Sequence, residues 1–307
     1  MSKKTKKLFL TLNIGPKAEE AKFDFKRFIG IGAVTVTALN PTKEELEKMY
    51  EREYQEKDYT IETPNGKAFG LEFHVKTDPE WESTGVATTG RVRFLISDRI
   101  RVNKDNTKCQ IIDNYGETAW VTREQFSAKQ KPDNCRIIGE YRACHEGEAD
   151  LIMFLKEWLN VPLSTSWNRD MHTWVPVSDD ELEKCQIVLN WDELVKGNID
   201  DLRQIVQQCQ EYRLFVCFGI RTTEDNHRYS DICNKVFGRF SSYNPNYFEQ
   251  RINSLKSSGM YVNTQFVFNP IREWTIESTK FTQNIPTVPD TPTVDPAAFT
   301  GNNDLPF

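Results

Sequence analysis

Four arginines stand close together in RVRFLISDRIR, namely Arg91, Arg93, Arg99 and Arg101, and Val92, Phe94 and Ile96 alternate with the first of them. Such alternation suits a strand with one buried and one cationic face, and the fork of donors on a guanidinium matches the oxygens of a phosphate or carboxylate. Aromatic residues interleave with further cations. Tyr115 and Trp120 flank a turn, and NKVFGRFSSYNPNYFEQR carries Lys235, Arg239, Phe240, Tyr243, Tyr247 and Arg251 in a stretch rich in Gly and Asn. Cations that follow a phosphate backbone and rings on which bases stack are the two ingredients of sequence-independent binding to a single nucleic-acid strand. A structural reading stands beside each: Phe94 fits a core position, Trp120 fits either use, and a solvated strand face accounts for the arginines. Tyr243 and Tyr247 lie in polar sequence that offers them little core to enter.

Other chemistries find less support. Cys135, Cys144 and His145, with Cys233 and His227, come nearest to a metal cluster, but structural zinc sites use ligand pairs two to four residues apart and none occurs. No metal and no cofactor is expected. Neither a Walker motif nor a dinucleotide-binding glycine pattern is present, FIGIG lacks a following helix start, and no nucleophile elbow is visible. The acidic doublets at 179–180 and 200–201 read as loops or helix caps. The chain is therefore expected not to be an enzyme. Two alternatives stay open: a metal-dependent nucleic-acid-processing enzyme built from scattered carboxylates, and a virion or scaffold protein that needs no groove for DNA.

The elements that must position these residues are limited by composition. With 307 residues, 38% of them hydrophobic, the chain can bury one large or two modest cores. The net charge of -6 argues against a polyanionic partner only until its distribution is seen. Residues 1–28 carry seven Lys and one Arg against three carboxylates, a net of +5, and residues 91–108 have a net of +4. Residues 41–66 sum to -4. The seven Cys are odd in number and scattered, which suits reduced, mostly buried thiols. No run of eighteen apolar residues and no leader sequence is apparent, so a soluble chain in the cytoplasm, with no membrane partner, is expected.

Residues 1–27 read as a basic arm with a short strand, KLFLTLN, and residues 28–280 as one elaborated core. FIGIGAVTVTALN opens that core as a strand, and Asn40 and Pro41 end it. Thr42 and Glu45 form a capping-box pattern for an inserted helix over about 42–57. LEFHVK, RVRFLIS, KCQIID and TAWVT follow as extended segments. Five such segments between 31 and 123 suit a small closed or nearly closed barrel. From about 146 to 160 the period changes to helical, with Leu151, Phe154, Leu155, Trp158 and Leu159 on one stripe. The fold class expected is mainly β with helical insertions (α+β).

Beyond 281 the sequence becomes QNIPTVPDTPTVDPAAFTGNNDLPF, which reads as a disordered tether ending in an apolar hook. This end resembles the tip of the bacterial single-stranded DNA-binding proteins and their phage counterparts, in which an OB-fold (oligonucleotide-binding barrel) core precedes a linker and an acidic tip ending in Pro-Phe. The likeness covers Asp304, Leu305, Pro306 and Phe307 closely and the linker in kind. Chain length, basic arm and elaborated barrel look more like the helix-destabilising proteins of large tailed phages. The zinc-ligand spacing of the best-known type is not reproduced, and Asn302 and Asn303 stand where that family often has acids. The resemblance implies an elaborated OB-fold barrel that binds and protects single-stranded DNA during replication, recombination and repair. It also implies recruitment of replication or recombination proteins by Asp304–Phe307, self-association on DNA, and residence in the host cytoplasm if the protein is viral.

Overall fold

Val34 and Val36 are buried while Thr35 and Thr37 reach the surface, the period-two pattern of a half-buried strand, and this strand organises the fold. The computed structural model describes residues 27–274. Residues 1–26 of the basic arm, the linker and the residues of the tip lie outside the described residues. In chain order the elements are β1 (Arg27–Leu39), α1 (Lys43–Tyr50), β2 (Thr60–Thr63), β3 (Gly66–Thr77), β4 (Thr89–Ile96), β5 (Lys108–Asp113), β6 (Thr118–Thr122), α2 (Arg123–Ser127) and β7 (Tyr141–Ala143). Then come α3 (Glu148–Trp158), β8 (Thr165–Asn168), β9 (Thr173–Pro176), α4 (Asp179–Leu182), α5 (Trp191–Leu194) and α6 (Asp200–Gln208). The last are β10 (Arg213–Thr222), β11 (Arg228–Ile232), β12 (Gly238–Arg239), α7 (Pro245–Ser257), β13 (Thr264–Phe266) and β14 (Arg272–Trp274).

Strand outweighs helix, and the architecture is α+β. β1 pairs antiparallel with β3 on one side and with β10 on the other, through Gly30–Thr35 against Arg213–Phe218. β10 therefore completes a sheet that the first half of the chain begins. β4 lies along the free edge of β3, and β11 along that of β10, in the order β11-β10-β1-β3-β4. The sheet curls until its two edges meet. Asn234 Nδ2 donates to the Arg93 carbonyl at 2.9 Å, and Gly90 lies so close to Ile232 and Phe218 that a Cβ there would overlap both. No strand ladder joins β4 to β11 among the described residues, so the barrel expected from residues 31–123 is not closed. KCQIID and TAWVT, two of the five segments assigned to it, form a separate three-stranded sheet, β6-β5-β7. Alternation specifies which face of a strand is buried and carries no information about its partner.

The inserted helix also differs from expectation. Thr42 and Glu45 make the capping box, but Glu51 turns left-handed at φ 53 and the helix stops at Tyr50. The following residues run extended, and the Tyr59 carbonyl accepts from the Gly70 amide at 2.7 Å. Asn40 holds the crossing from β1: its Nδ2 donates to Gly70 O at 2.8 Å and its Oδ1 accepts the Glu72 amide at 2.6 Å.

The inner face of the curled sheet packs Leu71, Phe73, Val75, Val92, Phe94, Leu214, Val216 and Phe218 against the α3 stripe Leu151, Phe154, Leu155 and Trp158. Phe154 has its ring 4.7 Å from Phe73 and 5.1 Å from Phe237, and truncating so enclosed an aromatic costs about 3–5 kcal/mol. A second cluster fills the outer face of β1 and β10, where Ala33, Phe215 and Cys217 meet Phe248 and Ile252 of α7. All seven cysteines are free thiols, five buried and two (Cys135 and Cys209) half-buried. No described helix is long and apolar enough to cross a membrane.

Candidate nucleic-acid interface

On β3 and β4 the inward residues alternate with Glu72, His74, Arg91 and Arg93, which share the outer face. The register sets Glu72 opposite Arg93 and His74 opposite Arg91. Glu72 Oε2 accepts from Arg93 Nε and from Lys57 Nζ, each at 2.7 Å, while Oε1 lies 3.8 Å from Arg91 Nη1 and 2.9 Å from His74 Nε2. Lys57 reaches the site from the extended chain after α1. Burial pushes the Glu72 carboxyl up, but the His74 hydrogen bond and the three cations outweigh it and hold the group well below the usual carboxylate range. Burial also drives His74 below the usual imidazole range. With His74 neutral, three cations face one carboxylate, and two positive charges remain in excess.

Tyrosines rim this charge. Tyr50 Oη lies 2.8 Å from His74 Nδ1, and the Tyr50 and Tyr54 rings are 5.8 Å apart. Arg52 sits 4.9 Å over Tyr54 and Lys57 4.9 Å over Tyr59. Across the seam, Arg221 lies 5.8 Å over Tyr229, a ring 46% exposed. The half-buried Asp231 carboxyl accepts from Thr264 Oγ1 at 3.2 Å; burial pushes it up, and the charges of Arg221 and Arg93 oppose that. The face thus runs from α1 over β3 and β4 to the β10–β11 hairpin.

No family model, curated protein or solved structure matches this chain.

Of the residues singled out in the sequence, the structure brings Arg91 and Arg93 together here and distributes the rest. Arg99 pairs with Glu146. Arg101, at 3.5 Å, and Lys235 converge on the half-buried Asp150. Arg239 pairs with Glu157 at 3.3 Å and donates to the Val161 carbonyl. Phe240 and Tyr243 are partly exposed and pack on Phe215, at 5.6 and 4.6 Å, and on Trp81. Phe240 borders a cleft of about 690 Å³ that Thr35, Trp158, Tyr212 and Arg213 also line. Tyr247 and Arg251 lie on α7, while Tyr115 and Trp120 belong to the hairpin of the small sheet. Asp304, Leu305, Pro306 and Phe307 lie outside the described residues.

Cys144, Cys135 and Cys233 fall in three different hydrophobic clusters, and His227 pairs with Asp225 at 3.2 Å on the hairpin turn. Among the described residues no three His, Cys, Asp or Glu side chains gather so as to hold a metal ion. The acidic doublets occupy the first turns of α4 and α6. Sequence reasoning missed Tyr50, Tyr54, Lys57, Glu72 and His74, of which Tyr50 lies in α1, Glu72 and His74 in β3, and Tyr54 and Lys57 in the segment between α1 and β2. The usable signal was cross-strand: Glu72 and His74 have the same outward phase as Arg91 and Arg93.

Proposed function

We propose that the protein binds single-stranded DNA without sequence preference, along the outer face of β3 and β4, and protects it during replication, recombination and repair. The observation that carries this is the convergence of Arg91, Arg93 and Lys57 on Glu72 with tyrosines on both flanks. Pre-positioned cations attract phosphates of any sequence, and neighbouring rings accept any base because every base has a π-face.

Strand order supports the same reading. β1, β3 and β4 follow one another and β10 returns beside β1, the order of a Greek key. With β11 added, five strands of the nine-stranded curled sheet leave one unpaired seam, and we take these five as an elaborated OB-type barrel, which is described as a partly open five-stranded Greek key. In such barrels the second and third strands and the loops after the first and fourth hold oligonucleotides. These correspond to β3, β4, residues 40–65 and the β10–β11 turn.

Recruitment of replication or recombination proteins by Asp304–Phe307 is the second part of the proposal and rests on the sequence alone. Fluorescence titration of the full chain with poly(dT) and with duplex DNA at rising salt tests the first part. Preference for the single strand, with affinity falling steeply as salt rises, is the expected result. Equal affinity for both forms, or no binding at low salt, would overturn it.

A further inference from the structure

Glu72, His74 and Tyr50 form a chain of hydrogen bonds whose direction can be assigned. The Glu72 carboxylate only accepts, so His74 Nε2 must carry the hydrogen in the 2.9 Å contact. In the neutral ring Nδ1 is then bare, and Tyr50 Oη–H donates to it across 2.8 Å. His74 is 2% exposed, and the groups packed around it are Glu72 on its own strand, Arg91 on β4, Tyr50 on α1 and Lys57 on the chain after α1. Arg93 shares the Glu72 carboxylate. Burial holds the ring neutral; Glu72 opposes it, and Arg91 and Lys57 reinforce it.

The geometry points to His74 as a proton-linked sensor of phosphate: a strand held at Arg91 and Arg93 is bound together with one proton taken up by His74. This rests on the nucleic-acid reading above. Phosphates on the two guanidiniums cancel the positive field that disfavours imidazolium and add negative charge nearby. The incoming proton, supplied by the buffer, attaches to Nδ1. Tyr50 Oη then changes from donor to acceptor, and its own hydrogen swings away from the ring, free for a phosphate oxygen beside Arg91. One bond thus reverses, no covalent bond to carbon is altered, and the site gains a donor only when the histidine is charged.

Linkage requires that affinity rise as pH falls, by up to about tenfold per pH unit for one proton, between a bound midpoint restored to the imidazole range near 6.5 and the lower midpoint that burial gives the free protein. The test is calorimetric titration of the full chain with oligothymidylate at pH 6 and pH 8, each in two buffers of unlike ionisation enthalpy. It is paired with nuclear magnetic resonance titration of the four histidines, free and bound. The expected results are proton uptake at pH 6 that fades by pH 8, a His74 midpoint that moves up by about one pH unit or more on binding, and uptake at least halved in His74→Gln. Binding with an unmoved His74 midpoint overturns this inference and leaves the proposed function standing. Undiminished uptake in a folded His74→Gln assigns the proton to another group and also overturns it. Should His74→Gln fail to fold, the wild-type midpoint decides. No binding to oligothymidylate at low salt overturns both proposals.

Discussion

Glu72 and Arg93 face each other across the β3–β4 ladder, and the carboxylate accepts the Arg93 Nε–H at 2.7 Å. The acid holds its cations in place from within the fold, since Glu72 is itself only 2% exposed. Because Lys57 and Arg91 share the same carboxylate, the arrangement is positively charged as a whole.

Replacing Arg91 and Arg93 together by Ala is expected to weaken binding to every single-stranded sequence about equally. The log–log salt dependence should become shallower by roughly 0.7 for each phosphate that is no longer neutralised. Titrations with oligothymidylate and oligoadenylate at several salt concentrations measure both effects. An unchanged slope would remove these arginines from the interface.

Tyr229 and Tyr243 are exposed to similar degrees but differ in what they touch. Tyr243 packs 4.6 Å from Phe215 and 5.5 Å from Trp81, whereas Tyr229 has Arg221 across the ladder and the His227 ring 6.5 Å away and touches no core aromatic ring among the described residues. Tyr229→Ala is expected to remove on the order of 1–3 kcal/mol of single-strand binding with the unfolding midpoint unchanged. Tyr243→Ala is expected to lower stability by about 1–3 kcal/mol, read by urea denaturation. Loss of stability without loss of binding in Tyr229→Ala would place that ring in the core.

Glu148 is the first residue of α3 and is 1% exposed. Burial raises its carboxyl, but hydrogen bonds from His145 and from Arg142, the latter at 3.0 Å through Nη1, overcome this and bring it down to about 2. The unfolded value lies near 4.5, so the unfolded chain binds the proton more readily and the contribution to stability is complete above that pH. It is lost as pH falls from 4.5 towards 2, by an amount on the order of a few kcal/mol. Glu148→Gln should flatten the stability curve in that window, measured by denaturation at stepped pH; an unaltered acid limb would refute the assignment.

Gly147 and Gly139 separate backbone strain from steric overlap. Both have positive φ, 79° and 65°, yet a Cβ on Gly147 would overlap the Leu95 carbonyl, while one on Gly139 meets nothing within 4 Å. Gly147→Ala is expected to cost about 2–4 kcal/mol, since β4 and α3 must separate to accommodate it, and Gly139→Ala only about 1 kcal/mol. Equal losses in urea denaturation would show that the β4–α3 packing yields without cost.

The features legible in the bare sequence are local ones. The alternation in RVRFLIS and LEFHVK assigned an inner and an outer face to two strands, the pair Thr42 and Glu45 marked where α1 begins, and the stripe Leu151, Phe154, Leu155 and Trp158 marked the buried side of α3. Each follows from interactions among residues a few positions apart, where geometry is set by the repeat of a strand or a helix. Long-range folding alone set β10 beside β1, took KCQIID out of the main sheet, and stopped the sheet short of closure at Asn234 and Gly90. Strand partners are chosen by burial summed over the whole core, and no short stretch encodes that sum. The site shows the same division. Arg91 and Arg93 were legible as a cationic face, but Lys57 and Tyr50 belong to residues 41–66, whose net charge of -4 reads as a solvated surface. Folding places that acidic stretch against β3 and β4, where one buried carboxylate, Glu72, gathers three cations from two elements, β4 and the segment after α1.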